Sequence, residues 1–326
     1  MCWPSVDPGR HVVARLDPAT YRPHAIHGPD RAWAETNCYT DLVVELTHAL
    51  GFDPVAMLPF TLAIDFEGDQ WTFFKPATHD LWELYGFDVQ ELAIWRPLGE
   101  HLAEQVEAGY PVLVEVDAYH LPDTAGTSYR LAHSKTTIGV NDINLAQGRM
   151  GYFHNAGYFA VEGDDFHALL QPACVPYVEF IKWRRDFLPP RNGVLVGRSL
   201  EVARRHLERL PQDNPFRRFK ARLARDLDWL AQADIAVFHT YSFATLRQYG
   251  ACFELAETYL AWLAARSIAG LEVPRSAFTM ISQTAKAFQF QLARSMTRKK
   301  ALDLAPLDTM AAQWDIGMTL LQSRYA

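Results

Sequence analysis

Thr36-Asn37-Cys38-Tyr39-Thr40-Asp41-Leu42-Val43-Val44-Glu45-Leu46 is the stretch on which the fold turns. Leu42, Val43, Leu46 and Leu50 recur at helical spacing, and Gly51 closes the run. Thr36 or Asn37 can cap this helix, which places Cys38 in its first turn. The amides there have no intrahelical partner, and the positive dipole end lowers the pKa of a thiol. The same amides can donate to an oxyanion. Cys38 is therefore a candidate nucleophile, although a free Cys is most often a small buried hydrophobe.

Outward from this helix, the chain reads as two textures. Residues 1–30 are rich in Pro, His and Arg without a period and read as an N-terminal arm. Two β-prone runs, Phe60–Phe66 and Trp71–Lys75, flank Glu67-Gly-Asp-Gln70 and predict a hairpin. Residues 79–86 and 88–108 read as helices, the second broken near Pro97. Pro111–Asp117, Lys135–Val140 and Met150–His154, continuing to Tyr158–Val161, read as strands. Asn141-Asp142 and Gln147-Gly148 supply turn chemistry. Beyond residue 195 the pattern is purely helical, over 198–210, 214–233, 237–266, 275–299 and 303–323. The expected organisation is an α+β domain over 31–190 with an antiparallel sheet, then an all-α helical domain over 191–326.

Composition narrows the class of protein. Of 326 residues, 49% are hydrophobic and 21% charged, which excludes a disordered chain. No apolar run reaches the roughly 18 residues of a membrane span. The start Met-Cys-Trp-Pro has no signal-peptide pattern. Four scattered Cys make neither a disulfide framework nor a zinc site, so a cytoplasmic chain with reduced thiols is expected. His120, Asp123, His133 and His154 lack compact ligand spacing, and no metal is expected.

A nucleophile needs a base, and the base an orienting group. His133 stands just before the strand Lys135–Val140, and Asn155 follows the strand Met150–His154. A hairpin joining these strands would bring the first residue of one beside the last of the next. Asp142 is the alternative third member. Around them, Asn37, Glu67, Gln70, Asp117 and Tyr119 are candidate substrate contacts. A hairpin tip and a strand-end cap are the plainer readings of Glu67 and Asp117.

These residues also carry a resemblance. Asn-Cys-Tyr-Thr-Asp (37–41), Asp-Phe-Glu-Gly-Asp-Gln-Trp (65–71), Glu-Val-Asp-Ala-Tyr-His-Leu-Pro-Asp-Thr (115–124), His-Ser-Lys-Thr-Thr-Ile (133–138) and Gly-Tyr-Phe-His-Asn-Ala-Gly-Tyr (151–158) resemble an uncharacterised bacterial family associated with amino-acid carrier-protein ligases. Residues 36–166 more distantly resemble the N-terminal domain of the butirosin-biosynthesis acyltransferase group, a papain-like (bacteriocin-processing-peptidase-like) cysteine fold. That resemblance implies an acyl- or aminoacyltransferase. It would take an aminoacyl group from a carrier-protein phosphopantetheine thioester onto Cys38, with His133 as base and Asn155 as orienter, and pass it to a small amine acceptor. The phosphopantetheine arrives on the partner, and no bound cofactor is implied. Two features depart from the pattern: residues 30–37 hold no Gln for the oxyanion hole, and Ala156-Gly157 follows Asn155 instead of Asp-Pro. A cysteine hydrolase (peptidase or amidase) on the same triad, or a catalytically silent protein that binds a carrier or small ligand, are the alternatives.

Charge is distributed unevenly. The net −7 argues against a general nucleic-acid binder. Residues 181–230 hold 13 Lys and Arg against six Asp and Glu, a net +7, which leaves −14 for the remainder. Arg184, Arg185, Arg204, Arg205, Arg217 and Arg218 are candidate docking residues for an acidic carrier protein, the alternative being a solvated basic helix face.

Overall fold

The computed structural model describes residues 11–13, 16–33, 36–183, 192–298 and 300–325. The chain divides into two units. The first comprises residues 1–28, 37–54 and 77–189, and the second residues 29–36, 55–76 and 190–326. Two N-terminal excursions, residues 29–36 and 55–76, belong to the helical unit.

In the first unit, α1 (Cys38–Ala49) begins where the Asn37 side chain accepts the Thr40 amide at 2.9 Å. After α2 (Thr78–Tyr85), Gly86 takes a left-handed conformation (φ 70°) and leads directly into β1 (Phe87–Glu91). The expected helix over 88–108 is therefore a strand followed by α3 (Leu98–Glu107), because Pro97 and its flanks separate two short segments. β2 (Val112–Asp117), β3 (Lys135–Asn144), β4 (Arg149–His154), β5 (Gly157–Glu162), α4 (Gly163–Leu169) and β6 (Val178–Trp183) complete the unit.

The six strands form one antiparallel sheet in the order β1-β6-β2-β3-β4-β5. Six consecutive residues of β3, Thr136–Asn141, are buried, and both α1 and α3 pack against the strand. α1 approaches closely because Gly139 has no side chain: a Cβ there would stand 3.3 Å from Leu42 Cδ1. The ladder breaks at Val140/Asp142, and the Asn141 side chain is freed to bind the arm, accepting from Val13 N at 2.7 Å and donating to Val13 O at 3.1 Å. The architecture is α+β with an antiparallel sheet and a helical C-terminal region.

The second unit contains α5 (Asn192–Leu207), α6 (Pro215–Leu230), α7 (Ile235–Ser242), a π-helical turn (Phe243–Arg247), α8 (Gln248–Ala264), α9 (Glu272–Arg298) and α10 (Ala305–Tyr325). The single helix expected over 237–266 is thus interrupted by the π turn. The excursion 55–76 does not form the expected hairpin. Pro54–Ala63 is a 3-10 helix, and only an isolated Phe66–Trp71 bridge remains. A continuously apolar run does not distinguish a strand from a fully buried helical segment.

This excursion is held within the helical unit by Ser199 Oγ donating to Ala56 O (2.7 Å) and Cys252 Sγ to Thr61 O (3.3 Å). Its Phe66 and Trp71 enter an aromatic cluster with Phe216, Phe219 and Tyr249, ring centroids 4.9–5.8 Å apart. Gly250 on α8 makes room for the Trp33 indole, which a Cβ would meet at 2.3 Å. Among the described residues, no helix is long and apolar enough to cross a membrane.

Candidate functional site

β2 ends at Asp117 and β3 begins at Lys135, and the two pair directly, so the chain leaving β2 and the chain entering β3 start side by side. His133 lies two residues before β3. Its Nδ1 donates to Asp117 Oδ2 at 2.5 Å, and Nε2 has no hydrogen bond among the described residues. The Asp117 Oδ1 atom accepts the Tyr119 amide (3.0 Å) and the Ser134 amide (3.2 Å). Burial works to raise the Asp117 pKa, but these hydrogen bonds, led by that from His133, outweigh it and hold the carboxyl below its usual range. The Tyr119 ring lies flat against the His133 imidazole, with centroids 4.4 Å apart and planes 14° apart.

This pair stands at the rim of a cavity of about 400 Å³ whose lining includes Val116, Leu169, Cys174 and Tyr177. The His133 side chain is 73% exposed, so its Nε2 is open to solvent and to a ligand. Lys135 and Glu115, also in the lining, pair at 2.7 Å. Tyr177 donates to Glu179 Oε1, and Tyr39 donates to Glu179 Oε2, both at 2.7 Å. The hydrogen bond to Glu179, then burial and the nearby carboxylates, push the Tyr177 phenol up to about 12. That carboxylate ties the cavity wall to the first turn of α1.

Among the described residues, no hydrogen bond joins the three residues of the expected triad. Cys38 is in the first turn of α1 and half-buried. Among the described residues no hydrogen bond joins its Sγ to His133 or to Asn155. Leu42, one turn beyond Cys38, lies against Gly139 of β3. Asn155 occupies the β4–β5 turn with φ 45°, a left-handed position that Asn tolerates. It makes no hydrogen bond to His133 among the described residues. The hydrogen bond to His133 expected of Asn155 is made by Asp117, and Asp142 instead accepts from Tyr158 Oη at 2.5 Å.

Of the candidate substrate contacts, Asn37 is used as the α1 cap, and Tyr119 is the platform for His133. Glu67 and Gln70 belong to the second unit, at an exposed turn closed by Glu67 N donating to Gln70 O. The basic segment is largely matched by acids of its own unit. Arg217 pairs with Asp315 (2.5 Å), Arg218 with Asp65, and Arg204 with Glu201 (2.8 Å). Arg204 and Arg205 occupy the last turn of α5, where cations complement the helix dipole. Arg184 and Arg185 lie outside the described residues. In the helical unit, Glu254 accepts the Ala32 and Trp33 amides and pairs with Arg31.

A second His–Asp pair has no sequence signal. His154 Nδ1 donates to Asp123 Oδ2 at 2.5 Å, Tyr152 Oη donates to Asp123 Oδ1 at 2.5 Å, and His154 Nε2 lies 2.8 Å from Thr136 Oγ1. Both the His154 and the Asp123 side chains are at most 4% exposed. Cys174, in the cavity lining, has only a faint signal, the Pro-flanked loop Pro172-Ala-Cys-Val-Pro176.

Family models described as DUF1839 N-terminal domain and DUF1839 C-terminal domain match residues 22–183 and 192–323. No curated protein matches the chain.

Proposed function

The chain belongs to the DUF1839 family, and we propose that its first unit transfers an acyl or aminoacyl group from a carrier-protein thioester to a small amine, with His133 as the general base. The observation that carries this reading is the His133–Asp117 pair at the rim of the cavity. Asp117 accepts from Nδ1, and in that tautomer Nε2 is the acceptor atom. The resemblance of residues 36–166 to the butirosin-biosynthesis acyltransferase group supports the reaction class.

In the step we propose, the amine nitrogen attacks the thioester carbonyl while Nε2 takes the amine proton. The C–N bond forms, the C–S bond breaks, and His133 returns the proton to the departing carrier thiolate. Direct attack is favoured over a Cys38 acyl-enzyme because Cys38 has no hydrogen bond to the base. Reconstitution with an aminoacyl carrier protein and an amine, read by intact mass of carrier and product, tests this. His133→Ala is expected to lower the transfer rate by roughly 10²–10⁴-fold, and Cys38→Ala to leave it within a few-fold. An aminoacyl adduct on the wild type that Cys38→Ala abolishes would restore the covalent route. Release of the free amino acid without an acceptor would indicate hydrolysis.

A second reading, a binding protein without turnover, is favoured by the same lack of a Cys38–His133 hydrogen bond. Carrier binding that survives His133→Ala, with no product from the wild type, would establish it.

A further inference from the structure

His133 and Asp117 sit at the two ends of one loop, residues 118–132, that leaves β2 and returns to β3. Strand pairing fixes only its feet. The loop has short 3-10 turns at Ala118–His120 and Pro122–Thr124 and a left-handed residue at Arg130 (φ 56°). Within the loop the Arg130 amide donates to Tyr119 O at 3.1 Å, and side chains tie it to the rest of the unit at two places, Asp165 and the β4 strand. Near its far end, Tyr129 Oη and Arg130 donate to Asp165 of α4 at 2.9 and 2.5 Å. Near its middle, Asp123 reaches under the loop to the sheet and takes the Tyr152 hydroxyl and the His154 Nδ1–H, while His154 is backed by Thr136.

The second fastening is buried and every polar atom in it is matched. The Asp123 carboxylate accepts from two donors on β4, one on each oxygen, and Thr136 lies on β3, three residues after His133. The same loop carries Tyr119, which is stacked on His133 on one side and has the Arg130 guanidinium 5.5 Å from its ring. A shift of the loop therefore moves both the platform of the imidazole and the Tyr119 amide that holds Asp117.

We infer that Asp123, through its buried bonds to Tyr152 and His154, is a positioning residue that sets the geometry of the His133–Asp117 pair. As a statement about catalysis this rests on the general-base reading, but as a statement about geometry it does not, and the test keeps the two apart. The Asp117 carboxyl titration is followed by carbon NMR in the full chain, together with the His133 ring nitrogen resonances. In Asp123→Asn, which keeps the shape and removes the charge, the Asp117 midpoint is expected to rise toward that of a free carboxyl, and the His133 Nδ1–H signal to exchange faster. Tyr152→Phe, which deletes one hydroxyl, is expected to give the same change in smaller measure and stands in should Asp123→Asn not fold. Tyr158→Phe, which removes a comparable bond to Asp142 elsewhere on the sheet, is expected to leave both signals unchanged. An Asp117 midpoint unmoved in folded Asp123→Asn or Tyr152→Phe, or moved equally by Tyr158→Phe, would overturn the inference. Absence of acyl transfer in the wild type would remove the general-base reading and leave this result standing.

Discussion

His133 is held in this fold from two sides: a carboxylate accepts from Nδ1, and a tyrosine ring lies flat against the imidazole plane. Asp117→Asn would keep the size and lose the charge, so the tautomer preference is lost; in the transfer reaction proposed above, the rate is expected to fall by roughly 10-fold or more while binding of the proposed carrier persists, read as kcat against KM. The same pair has a pH signature. The folded-state pKa of Asp117 is depressed, so its contribution is present above the ordinary carboxyl pKa of 3.8 and lost as pH falls through the lower folded value. Carbon NMR of Asp117 should therefore give a midpoint below 3.8 in the wild type and one nearer the ordinary value in His133→Ala. Cys38 shows the limit of local reading. Its place at a helix start was legible, since an N-cap and a periodic run are encoded within a dozen residues. Whether a base stands next to it is set by strand register, which local sequence does not encode.

At the scale of elements, α1 depends on its cap and on the arm laid against it. Asn37→Ala should cost about 1 kcal/mol of stability by removing the acceptor for the Thr40 amide, as measured by urea denaturation. The arm is fastened by His27, whose side chain is 1% exposed and bonds Asp41 (3.2 Å) and Glu45 of α1. Tyr21 Oη (2.6 Å) and the His24 amide also donate to Glu45, and the His24 ring lies 5.1 Å from that of His48. Burial works against a charged His27, but the hydrogen bonds and charges of Asp41 and Glu45 outweigh it and raise it to about 9. The folded value lies above that of a free imidazole. The protonated fastening therefore stabilises the fold fully below about pH 6.5 and loses that contribution as pH rises through about 9. Urea midpoints are expected to decline across that window in the wild type, and His27→Gln to flatten the decline. Strands β2 to β4 were legible from alternation and turn residues, whereas β5, read as a continuation of β4, is folded back against it by the Asn155-Ala156 turn. β1 and β6 were not, because Phe87–Glu91 borders a helical pattern and Val178–Trp183 follows a Pro-rich loop, so their strand character comes from pairing with each other and, for β6, with β2.

For the whole molecule, the two units are not two consecutive stretches of chain. Residues 55–76 supply Phe66 and Trp71 to the aromatic cluster of the helical unit, so a fragment of residues 192–325 lacks part of its own core. Such a fragment is expected to melt without cooperativity and to bind a hydrophobic dye, whereas a fragment that melts as sharply as the full chain would refute this. In the full chain, Trp71→Ala should cost roughly 3–5 kcal/mol by cavity formation, read by calorimetry. The basic segment 181–230 was visible as a +7 excess, but its partners Asp65, Asp308 and Asp315 lie about 80 residues or more away in sequence. Sequence alone determined the α+β and helical textures, the capped α1 and the candidate roles of Cys38 and His133, because propensity, capping and periodicity act over a few residues. Tertiary structure alone decided that His133 pairs with Asp117 rather than Asn155, that Asp123 and His154 meet beneath the loop, and that residues 55–76 leave the sheet for the helices. Each of those outcomes depends on strand register or on burial shared between distant segments, and neither is written in the local pattern of the chain.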